Sequence, residues 1–215
     1  VAITYTLGGL KAKIADDLAR SDISTQIEDA VATSIQFFQK KRFYFNETRT
    51  ATFSTVAAQS FYSASDDADI PKFLKLDGVF VTDSGGEVSE LTPTDAVSLQ
   101  ALLDANPSSG VPTDYAWFDQ GFILYPVPDA AYTVTPMGHY ELAAPASDNE
   151  TGNAWMTDAF EMIRSHAKAY LYTHVIKNAP DKRAEMIDAA AGGKNSLADA
   201  TNRRKATGQI ARTQF

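Results

Sequence analysis

The sequence predicts an α+β protein: a helical bundle formed by N- and C-terminal helices, with an inserted antiparallel β-domain and an extended C-terminal tail. Three observations carry this prediction. Apolar residues recur at helical spacing near both ends of the chain, β-forming residues fill the middle, and neither helical end covers its own apolar stripe. Two halves that each lack a partner must meet in space, which makes the intervening strands an insertion. The pattern assigns residues 1–47 and 150–194 to the bundle, 48–149 to the β-domain and 195–215 to the tail.

Leu10, Ile14 and Leu18 place one apolar stripe on a short first helix. Ser21-Asp22 interrupts it, and Asp22 is placed to cap the next helix by accepting from its free backbone N–H groups. Ile27, Val31, Ile35 and Phe38 then hold one face, with Gln26, Glu28, Asp29, Thr33 and Gln36 on the others. After Phe43-Tyr44-Phe45 the β-formers take over, in strands expected over residues 48–56, 59–62 and 74–82. Ser84-Gly85-Gly86 turns the chain into a returning strand at 87–91. Thr92-Pro93 reads as the cap and first position of a short helix near 93–104, with Val97, Leu99, Leu102 and Leu103 on its apolar side. Asp119-Gln120-Gly121 joins strands at 114–118 and 122–125, and residues 132–142 form a last strand.

Helix returns with Trp155, Phe160, Ile163, Ala167, Tyr170, Leu171 and His174 on one broad face, and Thr157 as its cap. Asn178-Ala179-Pro180 ends that helix and starts another at Pro180, anchored by Met186 and Ile187. Gly192-Gly193 is expected to break it, and the polar remainder is expected to be extended.

The composition is that of a globular protein, and no apolar run approaches the roughly 20 residues that cross a bilayer. The opening residues lack a basic region followed by an apolar core, so no signal peptide is expected. There is no cysteine, which removes disulfides, thiolate zinc sites and thiol catalysis. Residues 194–215 hold five basic residues against one acid, so of the formal charge of −8 the rest of the chain carries −12. An acidic body repels a phosphate backbone and argues against general nucleic-acid binding.

Catalytic signatures are missing too. The glycine pairs have neither the spacing nor the following Lys-Ser/Thr of a phosphate loop. His139 sits alone in a strand and reads as structural. His166 and His174 share a helix face but lie about 12 Å apart at 1.5 Å per residue, too far to share one zinc. The acidic runs Asp66-Asp67-Asp69 and Asp148-Asn149-Glu150 lack the ligand pattern of a calcium loop and read as solvated loops. Tyr115, Trp117, Phe122 and Tyr125 surround one hairpin, where either a sandwich core or a stacking platform for sugars or bases accounts for them. No cofactor, metal or catalytic residue is assigned.

Several stretches, taken in order, resemble the head-to-tail adaptor (head-tail connector) proteins of tailed bacteriophages. They are residues 10–22, 26–30, Lys41-Arg42-Phe43-Tyr44-Phe45-Asn46-Glu47, Ile70-Pro71, 110–116 and 124–129, then Asn153-Ala154-Trp155 with Arg164, Ala167 and Lys168, and finally 201–210. Each is weak alone; together they span nearly the whole chain. The resemblance implies a non-enzymatic structural subunit of the virion neck, assembled in the host cytoplasm. It implies a homo-oligomeric ring, usually a dodecamer, beneath the portal protein, extending the DNA channel and presenting a platform to the next tail component. DNA would pass through without sequence-specific binding, and no membrane is involved. It also implies that the tail reaches the portal, and the tail's own residues Arg203, Arg204, Lys205, Ile210, Arg212 and Phe215 are the expected contacts. Two other readings remain open from the residues alone: a carbohydrate- or receptor-binding module using the aromatic hairpin, and a hydrolase using a carboxylate pair.

Overall fold

The computed structural model describes residues 5–177 and 180–206. It divides into two compact units, one formed by Asn46–Glu141 and the other by the chain on either side of it.

The helical unit opens with α1 (Leu7–Leu18), whose first turn is capped by Thr6 Oγ1 accepting from the Gly9 N–H at 3.1 Å. Next comes α2 (Ser24–Gln39). Asp22 does not cap it: the Arg20 guanidinium holds both carboxylate oxygens at 2.6 and 2.7 Å, and Ile23 occupies the cap position. After the β-unit come α4 (Ala154–Thr157), α5 (Phe160–Leu171), one π-helical turn (Tyr172–Ile176) and α6 (Pro180–Ala206). Asn153, not Thr157, caps this stretch by accepting from the Trp155 N–H. The two ends of the chain build one core. Leu10, Ile14, Ile27, Val31, Ile35 and Phe38 meet Trp155, Phe160, Ile163 and Leu171, all buried. Phe43 joins them, stacked on Phe45, with Trp155 edge-on to both. Leu142 also packs here, and its carbonyl accepts from Gln39 Nε2 at 2.7 Å and Trp155 Nε1 at 3.1 Å.

Two expectations for the C-terminal region need correction. Gly192-Gly193 does not end the helix, and residues 195–206 are helical rather than extended. A Cβ on Gly193 would lie 3.1 Å from that of Met162, so the glycine brings α6 close against α5. That packing offsets the intrinsic cost of helical glycine, about 1 kcal/mol relative to alanine. The anchors of α6 are Ala190, Gly193, Leu197 and Thr201, at intervals of three to four residues, whereas Ile187 is 46% exposed. Likewise, α5 yields to the π-turn after Leu171, so His174 leaves the apolar face. Residues 207–215 lie outside the described residues.

The β-unit is a sandwich. One sheet has β1 (Glu47–Thr48), β9 (Thr133–Tyr140), β4 (Phe73–Thr82) and β5 (Val88–Glu90) in that order, with β2 (Phe53–Ser54) also on β9. The other runs β3 (Phe61–Ser63), β8 (Gly121–Tyr125), β7 (Asp114–Phe118) and β6 (Thr92–Pro93). All pairs are antiparallel except β6–β7. Thr92-Pro93 thus belongs to a strand, and the short helix α3 (Ala96–Ala105) starts later. Its cap is Asp95, which accepts from the Ser98 N–H at 3.0 Å. Both expected hairpins form, β4–β5 at Gly85-Gly86 and β7–β8 at Asp119-Gln120.

Side-chain alternation explains why β8 is apolar throughout. Phe122 and Leu124 join Tyr115 in the core between the sheets, while Ile123 and Ala116 meet Leu99 of α3 on the opposite face.

Candidate interaction surfaces

The expected portal-contact residues do not form one described cluster. Arg203 and Arg204 are exposed on the last turn of α6, and Lys205 is in the same helix. Ile210, Arg212 and Phe215 lie outside the described residues. The Arg204 guanidinium sits 3.6 Å from the centroid of the Tyr44 ring, a cation–π contact worth about 0.5–1 kcal/mol when exposed. Tyr44 is fixed on two further sides. Its N–H donates to Thr201 Oγ1 at 3.0 Å and its hydroxyl donates to the Asp158 carboxylate. Burial, then the Asp158 carboxylate, pushes the Tyr44 hydroxyl above its ordinary pKa, with Arg204 opposing. Thr201 is itself buried and donates back to the Leu197 carbonyl at 2.8 Å. The end of α6 is therefore latched to the turn at Tyr44.

A second charged cluster ties α1 to α5. Asp17 accepts from Arg164 Nε and Nη2, both at 2.8 Å, and from Lys168 Nζ at 2.9 Å; Arg164 also donates to Glu161 at 3.0 Å. Burial raises the Asp17 pKa, but the two cations outweigh it and hold the carboxyl below its ordinary range. Arg164 and Lys168, which carried part of the family resemblance, are thus joined on one carboxylate that the sequence did not single out.

The other candidates resolve into structural roles. His139 is buried, with Nε2 3.0 Å from Asn46 Nδ2. His166 meets Ser34 Oγ at 2.9 Å and stacks on Phe37, and burial pushes its pKa down. Among the described residues no three His, Asp or Glu side chains gather as a metal site, and no helix is long and apolar enough to cross a membrane. The Asp66 carboxylate accepts from Ser63 and Gln59 and closes its own loop, which lowers its pKa, mainly through the Ser63 N–H. Asp148 pairs with Lys11 at 2.6 Å, and Glu150 accepts from the Ala146 N–H and Asn153. Of the aromatic hairpin, Tyr115 and Phe122 are buried, and Trp117 lies edge-on to Phe73 and against Phe122. Tyr115 and Phe122, with Trp117 against them, help build the sandwich core, and Tyr125 packs beside Leu99 and Ile123.

What the residue-by-residue reading missed is how charge is divided. Residues 46–141 hold 14 acids and 3 basic residues, a net −11, while the rest of the chain holds 13 acids and 16 basic residues, a net +3. Between Lys75 and His139 there is no lysine, arginine or histidine at all. Within this basic-free stretch an open groove of about 400 Å³ runs between α3 and the β7–β8 hairpin, lined by Val97, Ala101, Asp104, Phe118 and Ile123. Val97 is 77% and Phe118 62% exposed. The run without a cation was visible in the sequence; the exposure of these two side chains was not.

A family model described as "SU10 adaptor protein" matches residues 5–213. No curated protein matches the chain.

Proposed function

We propose that this chain, which belongs to the SU10 adaptor protein family, forms a ring beneath the portal, extends the DNA channel and joins the head to the tail. The family match carries this reading, since it runs through both units and covers 5–213. At the coarser level the chain is a structural adaptor of a bacteriophage virion, a role met by contacts with head and tail components. Two observations support the finer reading. An acidic unit free of cations over a long stretch repels DNA phosphates, as a channel that must not retain DNA requires. The end of α6, latched to Tyr44, carries the exposed Arg203 and Arg204, and the basic sequence in which they stand suits an acidic portal surface. A dodecamer matching the portal, the neck as location and assembly in the host cytoplasm belong to the same proposal. Neither catalysis nor a cofactor is part of it.

Co-sedimentation with the purified portal protein of the same virion tests the assignment. Wild type is expected to pellet as a ring with the portal. Removing residues 207–215 is expected to weaken attachment while leaving thermal stability unchanged. Added salt should weaken it too, because exposed charges are screened over about 10 Å at 0.1 M. Unaltered attachment of the truncated chain would remove the tail from the proposal, and failure of wild type to bind the portal would remove the portal.

A further inference from the structure

We propose that the groove between α3 and the β7–β8 hairpin is a self-association site. It receives, from a second copy of this chain, the corner of α2 that carries Phe37 and Lys40. This rests on the ring reading above and names the contact that would build such a ring.

The groove has a definite chemistry. Its floor is apolar, its edge carries Asp104, and the surrounding stretch of chain has acids but no basic residue. A partner that fits must therefore present a bulky apolar side chain with cations beside it, because burying Val97 and Phe118 removes apolar surface from water while the acidic edge demands positive charge. Nucleic acid is excluded by the sign of the charge.

The helical unit of the same sequence presents that combination. Phe37 points out of the bundle, 53% exposed, on a helix whose core stripe is carried by Ile27, Val31, Ile35 and Phe38. One face of its ring is stacked on His166 at a centroid distance of 4.8 Å, which fixes its direction. Lys40 follows at i+3 as the C-cap of α2, on the side of the helix that carries Phe37, and Lys41 is the next residue along the chain. Lys40 and Lys41 are exposed as well. Phe37 and the groove residues Val97 and Phe118 are all exposed, open to a second copy. Because knob and groove are different surfaces, each copy can use its knob on one neighbour and its groove on another, a heterologous contact that closes into a ring if the rotation allows.

Two variants test this. One impairs the knob (Phe37→Ala with Lys40→Glu) and the other impairs the groove (Val97→Lys with Asp104→Lys). All four positions are exposed, and melting curves check that each variant stays folded. Sedimentation velocity of the full chain over a concentration series is the readout. Wild type should self-associate, less so in high salt, and each variant alone should associate about tenfold or more weakly. An equimolar mixture of the two variants should form dimers and stop there, because one intact knob meets one intact groove and no further contact is available. Wild type that stopped at dimers would mark a reciprocal two-fold contact and overturn the ring contact. The proposal is overturned if wild type stays monomeric throughout, if either variant associates like wild type, or if the mixture associates no better than its components. In any of those outcomes, portal co-sedimentation of wild type still decides the adaptor reading independently.

Discussion

The two units solve different problems with one chain. The helical unit is held mainly by aliphatic and alanine stripes, with Phe38, Phe43, Phe160 and Trp155 among them, is close to neutral with a slight positive excess, and spends charges on internal ties such as Asp17 with Arg164 and Lys168. The β-unit is held by aromatic residues (Phe53, Tyr62, Phe73, Tyr115, Phe122 and Tyr132) and carries more negative charge than the whole protein. The overall −8 is thus not a property of the molecule's surface at large. It averages a strongly acidic β-unit with a slightly basic helical unit.

The contrast between the cores gives the largest expected effects. Trp155→Ala should cost about 3–5 kcal/mol, since it empties the centre of the helical core and deletes the bond to the Leu142 carbonyl. Amide exchange should show the loss in α5 first. Gly138→Ala should cost about 1–3 kcal/mol in the β-unit, because the new Cβ would lie 2.3 Å from the Lys75 carbonyl oxygen. Its exchange should rise first in β4 and β9. If either substitution loosened both units equally, the division into two cores would be the wrong description.

The Asp17 tie sharpens the electrostatic side of the comparison. Asp17→Asn should destabilise by about 1–3 kcal/mol at neutral pH, as expected for hydrogen bonds between charged groups. The folded carboxyl titrates below the ordinary Asp pKa. Its stabilisation is therefore complete above the unfolded value of about 4 and fades as pH falls through the folded one. The gap between wild type and variant, read from urea midpoints, should then be constant at higher pH and narrow below about pH 4. A gap that widened on acidification would contradict the assigned ion pairing.

Smaller effects probe local backbone. Gly192 faces open space and Gly193 faces Met162, so Gly192→Ala should stabilise α6 by about 1 kcal/mol while Gly193→Ala should gain less or lose. Equal gains in melting temperature would mean that Gly193 is not a contact. In the β-unit, Asp119 and Gln120 both have positive φ, the two-residue hairpin geometry that favours glycine at its second position. Gln120→Gly should stabilise by about 0.5–1 kcal/mol in the same melts.

The fold was legible wherever burial follows a period. Ile27, Val31 and Ile35 on one side and Phe160, Ile163 and Leu171 on the other are large apolar residues at helical spacing, and all are buried. Legibility failed where small residues carry the contact. The stripe of α6 is alanine, glycine and threonine with a single leucine, so hydrophobicity gave no signal and Gly192-Gly193 read as a stop. It also failed where one local rule outranked another. Thr92-Pro93 has the form of a helix start, but Asp95 with Ser98 is the cap used, and pairing with β7 draws the earlier residues into a strand. For the site, the basic tail could be read as residues but not as a latched helix end. The hairpin aromatics could not be assigned a face until Tyr115 and Phe122 were seen between the two sheets.

The pairing of β1 with β9 carries one more consequence. Glu47 lies opposite His139, so the places where the chain enters and leaves the β-unit are cross-strand partners, about 5 Å apart. A gap of that size is one a two-residue turn bridges. The β-unit is therefore a cassette: excising it and splicing the ends with Asn-Gly leaves the helical scaffold nothing to span, and a different sandwich with neighbouring termini could be plugged into the same socket.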